Sequence, residues 1–432
     1  MSMPVIAVPE GLETNTFLLA PGALDFLPEL LKTVFPGKTP WLVADDNTWL
    51  VAGKRAKELL TAAGFTLIPE YIFPGTPKLH PDFSYSEMLA EKMDENCVPV
   101  AVGSGVINDL VKCASGIKGV RYCCVPTACS VDGYTSSGAA LSVKGTKQTV
   151  PCPAPYALCA DVDILNTAPA PMMASGYADL LTKIPAGADW IIADELGEDP
   201  IHPDVWKLIQ GQIRNWVSDS KDLLNVFAGL AATGYAMQMM KDSRPASGAE
   251  HLCSHVWEME GLMFNGEDVS HGFKVGLGLL ASTLLHEFIL EHSFEELVPR
   301  MKAGLTVAER EAEIAQIMAR GCYGEAPKQT AMAKFRTGEA LAARRKEIGE
   351  HWTRLQERLR KQMISYNELK AMLEKASCPV TPSGIGLDRE QFVHAVRMAQ
   401  LIRTRYTVLD FLYELGLLDV AIEEKLSIMA EL

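Results

Sequence analysis

His251 and His255 stand four residues apart in Ser247-Gly248-Ala249-Glu250-His251-Leu252-Cys253-Ser254-His255, and a third histidine follows in Ser270-His271-Gly272. On a helix, that spacing puts the first two imidazoles on one face, able to point at a single centre. Two neutral imidazoles and one carboxylate, with a coordination position left open, suit a catalytic Zn²⁺, Fe²⁺ or Ni²⁺. A carboxylate is available upstream in Tyr177-Ala178-Asp179-Leu180-Leu181-Thr182-Lys183. The motif lacks the Glu of H-E-x-x-H, which speaks against a zinc protease. For an isolated histidine pair, satisfied core residues are the commoner outcome.

Other segments carry chemistry of a different kind. Residues 98–112 read as a buried strand, a tight Gly103-Ser104-Gly105 turn and an amphipathic helix. Glycines let backbone N–H groups approach a pyrophosphate, and a helix N-terminus favours negative charge. Asn108 stands where a full dinucleotide fingerprint has its third glycine, so phosphate binding and a plain turn both fit. Residues 125–138 form a loop dense in hydroxyls directly after a strand, including Thr127, Ser130 and Asp132. Ligands of open α/β sheets sit beyond the carboxyl ends of strands, although a polar connection with Asp132 as a turn or cap residue fits as well.

The strand 41–44 runs into Asp45-Asp46. A carboxylate there could accept hydrogen bonds from an adenosine ribose and repel a 2′-phosphate, favouring NAD(H), or it could cap the next helix. Lys183, four residues after Asp179, and Arg244, seven before His251, are the cations best spaced to take a substrate phosphate, with Lys147 as a third candidate. The competing reading makes Lys183 a solvated helix residue and Arg244 an ion-pair partner or cap.

These residues need elements to hold them. Strand-like runs at 16–19, 41–44, 66–73, 98–102, 122–125 and 157–160 alternate with helical patterns, as in a mainly parallel α/β sheet. A hairpin around Gly145 interrupts the rhythm. After Ile164 helical periods take over, as in 204–217 and 272–291. The expected division is therefore 1–164 and 165–432. Residues 305–376 read as long amphipathic helices with basic and acidic groups interleaved on a solvated face, and no chemistry is assigned to them.

A length of 432 residues allows two domains, and 48% hydrophobic with 22% charged residues is ordinary for a globular protein. No apolar run reaches the length of a membrane span, and the start lacks a basic, apolar leader. The ten cysteines are sparse and form no C-x-x-C pair, so reduced thiols in the cytoplasm are expected, with Cys123-Cys124 as buried structural thiols. A net charge of −14 argues against nucleic acid as a partner.

In order along the chain, the segments 103–112, 126–137, 157–163, 177–183 with Ala188-Asp189-Trp190, 244–259, His271-Gly272 and 403–410 resemble the sn-glycerol-1-phosphate dehydrogenases. These belong to the superfamily that also holds glycerol dehydrogenases, iron-containing alcohol dehydrogenases and dehydroquinate synthases. Such collinearity is far more specific than any one motif. The resemblance implies an α/β N-terminal dinucleotide-binding domain plus an all-α C-terminal metal-binding domain, in a dehydroquinate synthase-like architecture. It implies metal ligands at Asp179, His251 and His271, a substrate-contacting acid at Asp132, and His255 as a non-ligand proton donor. Gly103, Ser104, Gly105, Asn108 and Asp109 would meet the pyrophosphate of NAD(H) or NADP(H), with Thr127 and Ser130 beside the cofactor. One divalent metal, Zn, Ni or Fe, a small phosphorylated polyol or ketone and a homo-oligomer complete the expectation. Ala178 departs from the Gly usual before the ligand Asp, and the 305–376 stretch is longer than the family pattern. Rivals are a dehydrogenase of unphosphorylated polyols, a dehydroquinate synthase, whose ligand carboxylate is typically Glu, and a catalytically silent binding protein.

Overall fold

The computed structural model describes residues 2–430, without the side chains of Thr146, Lys147 and Ala430. Nine strands form in the N-terminal part: β1 (Val5–Ile6), β2 (Thr16–Ala20), β3 (Thr39–Asp45), β4 (Ile68–Phe73), β5 (Cys97–Gly103), β6 (Cys123–Pro126), β7 (Gly138–Val143), β8 (Thr146–Pro151) and β9 (Ala157–Asp161). Seven make one sheet in the order β1-β2-β9-β6-β5-β3-β4, while β7 and β8 pair as the expected hairpin. Only β1 runs antiparallel within the large sheet. β5 is buried along its whole length, which is why it reads as an unbroken apolar run rather than an alternation.

The chain leaves β3 for β4 and then returns to the other flank of β3 as β5. The strand order therefore reverses between β3 and β5, the kind of point at which open parallel sheets bind ligands. The parallel register pairs Val43 with Ala101, so two residues further along Asp45 comes level with Gly103. Out of Gly103 the chain enters helix α1 (Gly105–Lys118). A Cβ on Gly103 would lie 2.5 Å from that of Ile107, so only glycine allows the turn to close this tightly.

Two compact units are present, Met1–Leu180 with Arg214–Asp242 and Leu181–Ile213 with Ser243–Leu432. The break expected at 164 is thus displaced. Helix α2 (Ala170–Leu181) lies almost wholly in the first unit. In the second unit follows α3 (Lys183–Glu195), and α4 (Leu223–Met240) returns to the first. There Phe227 of α4 meets Phe17 of β2 and Tyr134, with ring centroids 6.0 and 5.4 Å apart, covering apolar surface the sheet would otherwise expose. Helical periodicity alone does not say which core a helix serves.

The second unit is almost entirely helical among the described residues, with a small hairpin of β10 (Met263–Phe264) and β11 (Glu267–Asp268). Its elements include α5 (Ala249–Met259), α6 (His271–Glu291), α7 (Gly338–Gln362), α8 (Arg389–Ala399) and α9 (Val408–Glu414). Trp257 of α5 stacks on Phe392 of α8, and Trp352 of α7 on Phe411 of α9. α6 is long and apolar enough by composition to cross a membrane, but 83% of its apolar window is buried inside the protein, as in a core helix. The expected 204–217 helix is broken into Pro203–Gln210 and Ile213–Trp216. Within 305–376, α7 buries Leu341, Ile348, Trp352, Leu355 and Leu359 on one side, as an amphipathic helix should.

Candidate metal centre and cofactor loop

His251 and His255 lie one turn apart on α5, and His271 opens α6, whose N-terminus is capped by Ser270. The rings of His251 and His271 approach to 5.3 Å between centroids. Asp179 sits in the last turn of α2, the helix that continues past Leu180 into the second unit. One ligand atom from each of Asp179, His251 and His271 lies within 4.8 Å of the other two. His255 is not one of the three.

Carboxylates unnoticed in the sequence orient these groups. The fully buried Glu250 faces His251 Nδ1 through Oε1 at 3.0 Å, which leaves Nε2 for a metal. The same oxygen accepts the Gly248 N–H at 2.6 Å. Glu258 serves two histidines, with Oε1 3.5 Å from His271 Nδ1 and Oε2 3.4 Å from His255 Nδ1, and Lys274 Nζ stands 2.8 Å from Oε1. Glu258 was open to discovery by spacing, being three residues beyond His255 and seven beyond His251. Further back, Asp189 accepts the N–H of Ala249 at 2.7 Å and of Val408 at 2.7 Å, fixing the start of α5.

Asp132 donates its backbone N–H to Asp179 Oδ2 at 2.9 Å. Gly176, one turn earlier on α2, admits the same loop: a Cβ there would overlap the Cys129 carbonyl oxygen, at 1.9 Å. A buried carboxylate with one oxygen oriented by a backbone N–H, beside two imidazoles of which one has its far nitrogen held by a carboxylate, fits a divalent first-row metal by the chemistry of its donors.

For His255 the resemblance implies a non-ligand proton donor. A third of its side chain is open to solvent, yet protein atoms crowd the ring. That desolvation, with smaller contributions from His251 and His271, outweighs Glu258 and brings its pKa down to about 4. It is neutral at neutral pH.

In the first unit, the hydroxyl-rich loop is tied down by an unforeseen residue. Lys112 is buried on α1 and donates to the carbonyls of Gly133 at 2.7 Å and Gly138 at 2.9 Å. Asn108 is buried too: its amide reaches the Tyr134 carbonyl at 3.4 Å and accepts from the Tyr122 hydroxyl at 3.1 Å. It therefore holds α1 to the loop rather than presenting itself to a pyrophosphate. Asp109 is likewise engaged, accepting the Ala140 N–H at 3.1 Å. Ser104, in extended conformation, is the N-cap residue of α1 and makes no side-chain cap bond. Thr127 and Ser130 are buried, the former bonded through its N–H to the Gly103 carbonyl and the latter near the Tyr134 hydroxyl. Asp45 caps the short helix after β3 in a box with Thr48, and Asp46 accepts the Gly75 N–H at 2.9 Å. Burial pushes the thiols of Cys123 and Cys124 up, as expected for structural cysteines.

The two cations chosen for the phosphate turn out to be internal struts. Lys183 is fully buried, donating to the Ala246 carbonyl at 3.0 Å and to Thr182. Arg244, 2% exposed, donates to the carbonyls of Tyr406 and Asp189, each at 3.0 Å, and lies 3.1 Å from Asp199. Burial brings its pKa down to about 10. Spacing predicted closeness to His251 and Asp179; it did not predict that these donors face inward. The Lys147 side chain lies outside the described residues.

Residues 18–169 match the family model described as iron-containing alcohol dehydrogenase. Over 274 residues the chain is 34% identical to a glycerol-1-phosphate dehydrogenase [NAD(P)+] of Bacillus licheniformis, covering 61% of this chain and 68% of that one. The chain belongs to the glycerol-1-phosphate dehydrogenase family. A relative bearing the same name in Geobacillus stearothermophilus is 29% identical over 385 residues, or 87% of this chain and 86% of its own. The fold is shared with glycerol dehydrogenase from Schizosaccharomyces pombe, at a TM-score of 0.58 and 14% identity over 96% of this chain and 91% of that one.

Proposed function

We propose that this member of the family interconverts dihydroxyacetone phosphate and sn-glycerol 1-phosphate with NAD(P)(H), using one divalent metal held by Asp179, His251 and His271. The observation that carries the reading is the convergence of one carboxylate and two imidazoles within 4.8 Å in a chain related to glycerol-1-phosphate dehydrogenases. When bound, the metal supplies a Lewis acid at the carbonyl oxygen and the nicotinamide supplies the hydride. The first-turn N–H groups of α1, at Gly105 and its neighbours, are suited to a dinucleotide pyrophosphate. Asp45, level with Gly103 in the register, would meet the adenosine ribose, and its negative charge there, although Oδ1 also caps the helix after β3, favours NAD(H). Asp132 orients Asp179 through its backbone and offers its own carboxylate to a substrate hydroxyl. His255, neutral and paired with Glu258, orients the water through which a proton reaches or leaves substrate.

Metal-stripped protein reconstituted separately with Zn²⁺, Ni²⁺ and Fe²⁺ tests this. Activity should return with a metal, and catalytic efficiency should be far higher for dihydroxyacetone phosphate than for dihydroxyacetone. One observation favours a second reading, a dehydrogenase of unphosphorylated polyols: Lys183 and Arg244 are both committed inside the protein. Equal efficiency with the two ketones would establish that reading in place of the first.

A further inference from the structure

The interleaved charges after residue 300 gave no sequence-level reason to expect a site, but the fold of the second unit brings them around a cavity of about 250 Å³. Six cations and four carboxylates line it, a local positive excess in a chain of net charge −14. All four carboxylates are engaged: Asp419 with Lys302 and Arg397, Asp410 with Lys334, Glu313 with Arg310 and Tyr413, Glu414 with Arg336 and Tyr406.

Two guanidinium groups retain binding capacity. Arg310 is 1% exposed and lies over the Tyr413 ring at 4.1 Å. Its terminal nitrogens reach Glu313 and Gln400, each at 2.6 Å, but its buried Nε–H has no acceptor among the described residues. A buried donor left without a partner is costly and marks a place where an acceptor is missing. Arg345 donates to the backbone carbonyls of Glu414 at 2.7 Å and Lys302 at 2.9 Å, and pairs with no carboxylate among the described residues. Leu305, Leu341 and Tyr413 supply apolar wall to the same cavity. None of the metal or cofactor residues lines it.

We infer that this cavity binds a small organic anion, whose phosphate or carboxylate is taken by Arg310 and Arg345 and whose compact apolar body lies against Leu305, Leu341 and Tyr413. Guanidinium groups suit both acid types through planar, charge-assisted hydrogen bonds. The site is independent of the reaction proposed above.

Calorimetric titration of the metal-loaded enzyme, with its substrate site saturated by sn-glycerol 1-phosphate, tests the inference with phenyl phosphate, benzoate and the neutral control benzyl alcohol. One or both anions should bind, and the tighter of them assigns the acid group. Arg345→Gln should weaken that binding about tenfold, the loss of one charge-assisted contact. Leu305→Trp, which fills the cavity and keeps every cation, should abolish it and covers the case in which the first variant does not fold. Anion binding unchanged in both variants, benzyl alcohol binding as tightly as the anions, or no binding to the wild-type enzyme would each overturn the site.

Discussion

Two charged clusters of the second unit make an instructive pair. In one, His251 is held through Nδ1 by Glu250 at 3.0 Å, and Glu258 stands 3.5 Å from His271 Nδ1. In the other, Lys183 and Arg244 donate to the carbonyls of Ala246, Tyr406 and Asp189, and Arg244 also pairs with Asp199. Both are rich in residues that could do chemistry, but His271 is a quarter exposed whereas Lys183 and Arg244 are buried. The difference lies in what the polar atoms face: the proposed metal in the first, the protein's own backbone in the second. A buried cation that satisfies carbonyls holds the fold together, because removing it leaves several acceptors unpaired.

The contrast breaks first at the metal. His251→Ala should lose bound metal, measured by elemental analysis, and lower kcat by about 10³-fold, since a Lewis acid contributes several kcal/mol to such a step. The helical circular dichroism should stay as in the wild type. Full activity in that variant, or after exhaustive chelation, would remove the metal centre from the account.

Glu250→Gln keeps size and hydrogen bonding but drops the charge that orients His251. Metal affinity should fall ten- to a hundredfold, the usual range for partners behind a ligand, while thermal stability changes little. A variant that binds metal as well as the wild type would make Glu250 a packing residue only.

Arg244→Ala should behave in the opposite way. Leaving two buried carbonyls unpaired should cost about 2 kcal/mol of stability in denaturant titration, and KM should change by the same factor for dihydroxyacetone phosphate and for dihydroxyacetone. A selective rise for the phosphorylated ketone would return Arg244 to the substrate site and collapse the distinction between the clusters.

The smallest effect belongs to the first unit. Asp45→Asn preserves the helix cap, since Asn caps as well as Asp, but removes the charge proposed to face the ribose. The ratio of NADPH to NADH efficiency should rise several-fold, and an unchanged ratio would leave Asp45 a cap and nothing more.

The strands were legible because parallel strands buried on both faces are continuous apolar runs bounded by turn residues, as at 97–103. The proposed metal set could be named from the sequence because its residue types are rare in combination and its segments follow the family order. The cofactor loop was half legible: Gly103 and Gly105 mark the turn by their types, but nothing local shows that Asn108 and Lys112 point into the loop they brace. The division at 164 failed because a helix such as α4, apolar on nearly every side, carries no mark of which core it covers.

What the sequence determined by itself is therefore what depends on residue type and on spacing within one element: the parallel sheet, the His251 and His255 helix face, the turn at Gly103, the family. What only the tertiary structure decided is which partner each polar atom meets. Glu250 and Glu258 became orienting carboxylates, Lys183 and Arg244 became struts, and the charges around Arg310 and Arg345 closed on a cavity through contacts between residues far apart in the chain. The physical reason is range. A hydrogen bond holds over about 3 Å, so its partner is set by how distant elements pack, and no local pattern carries that information.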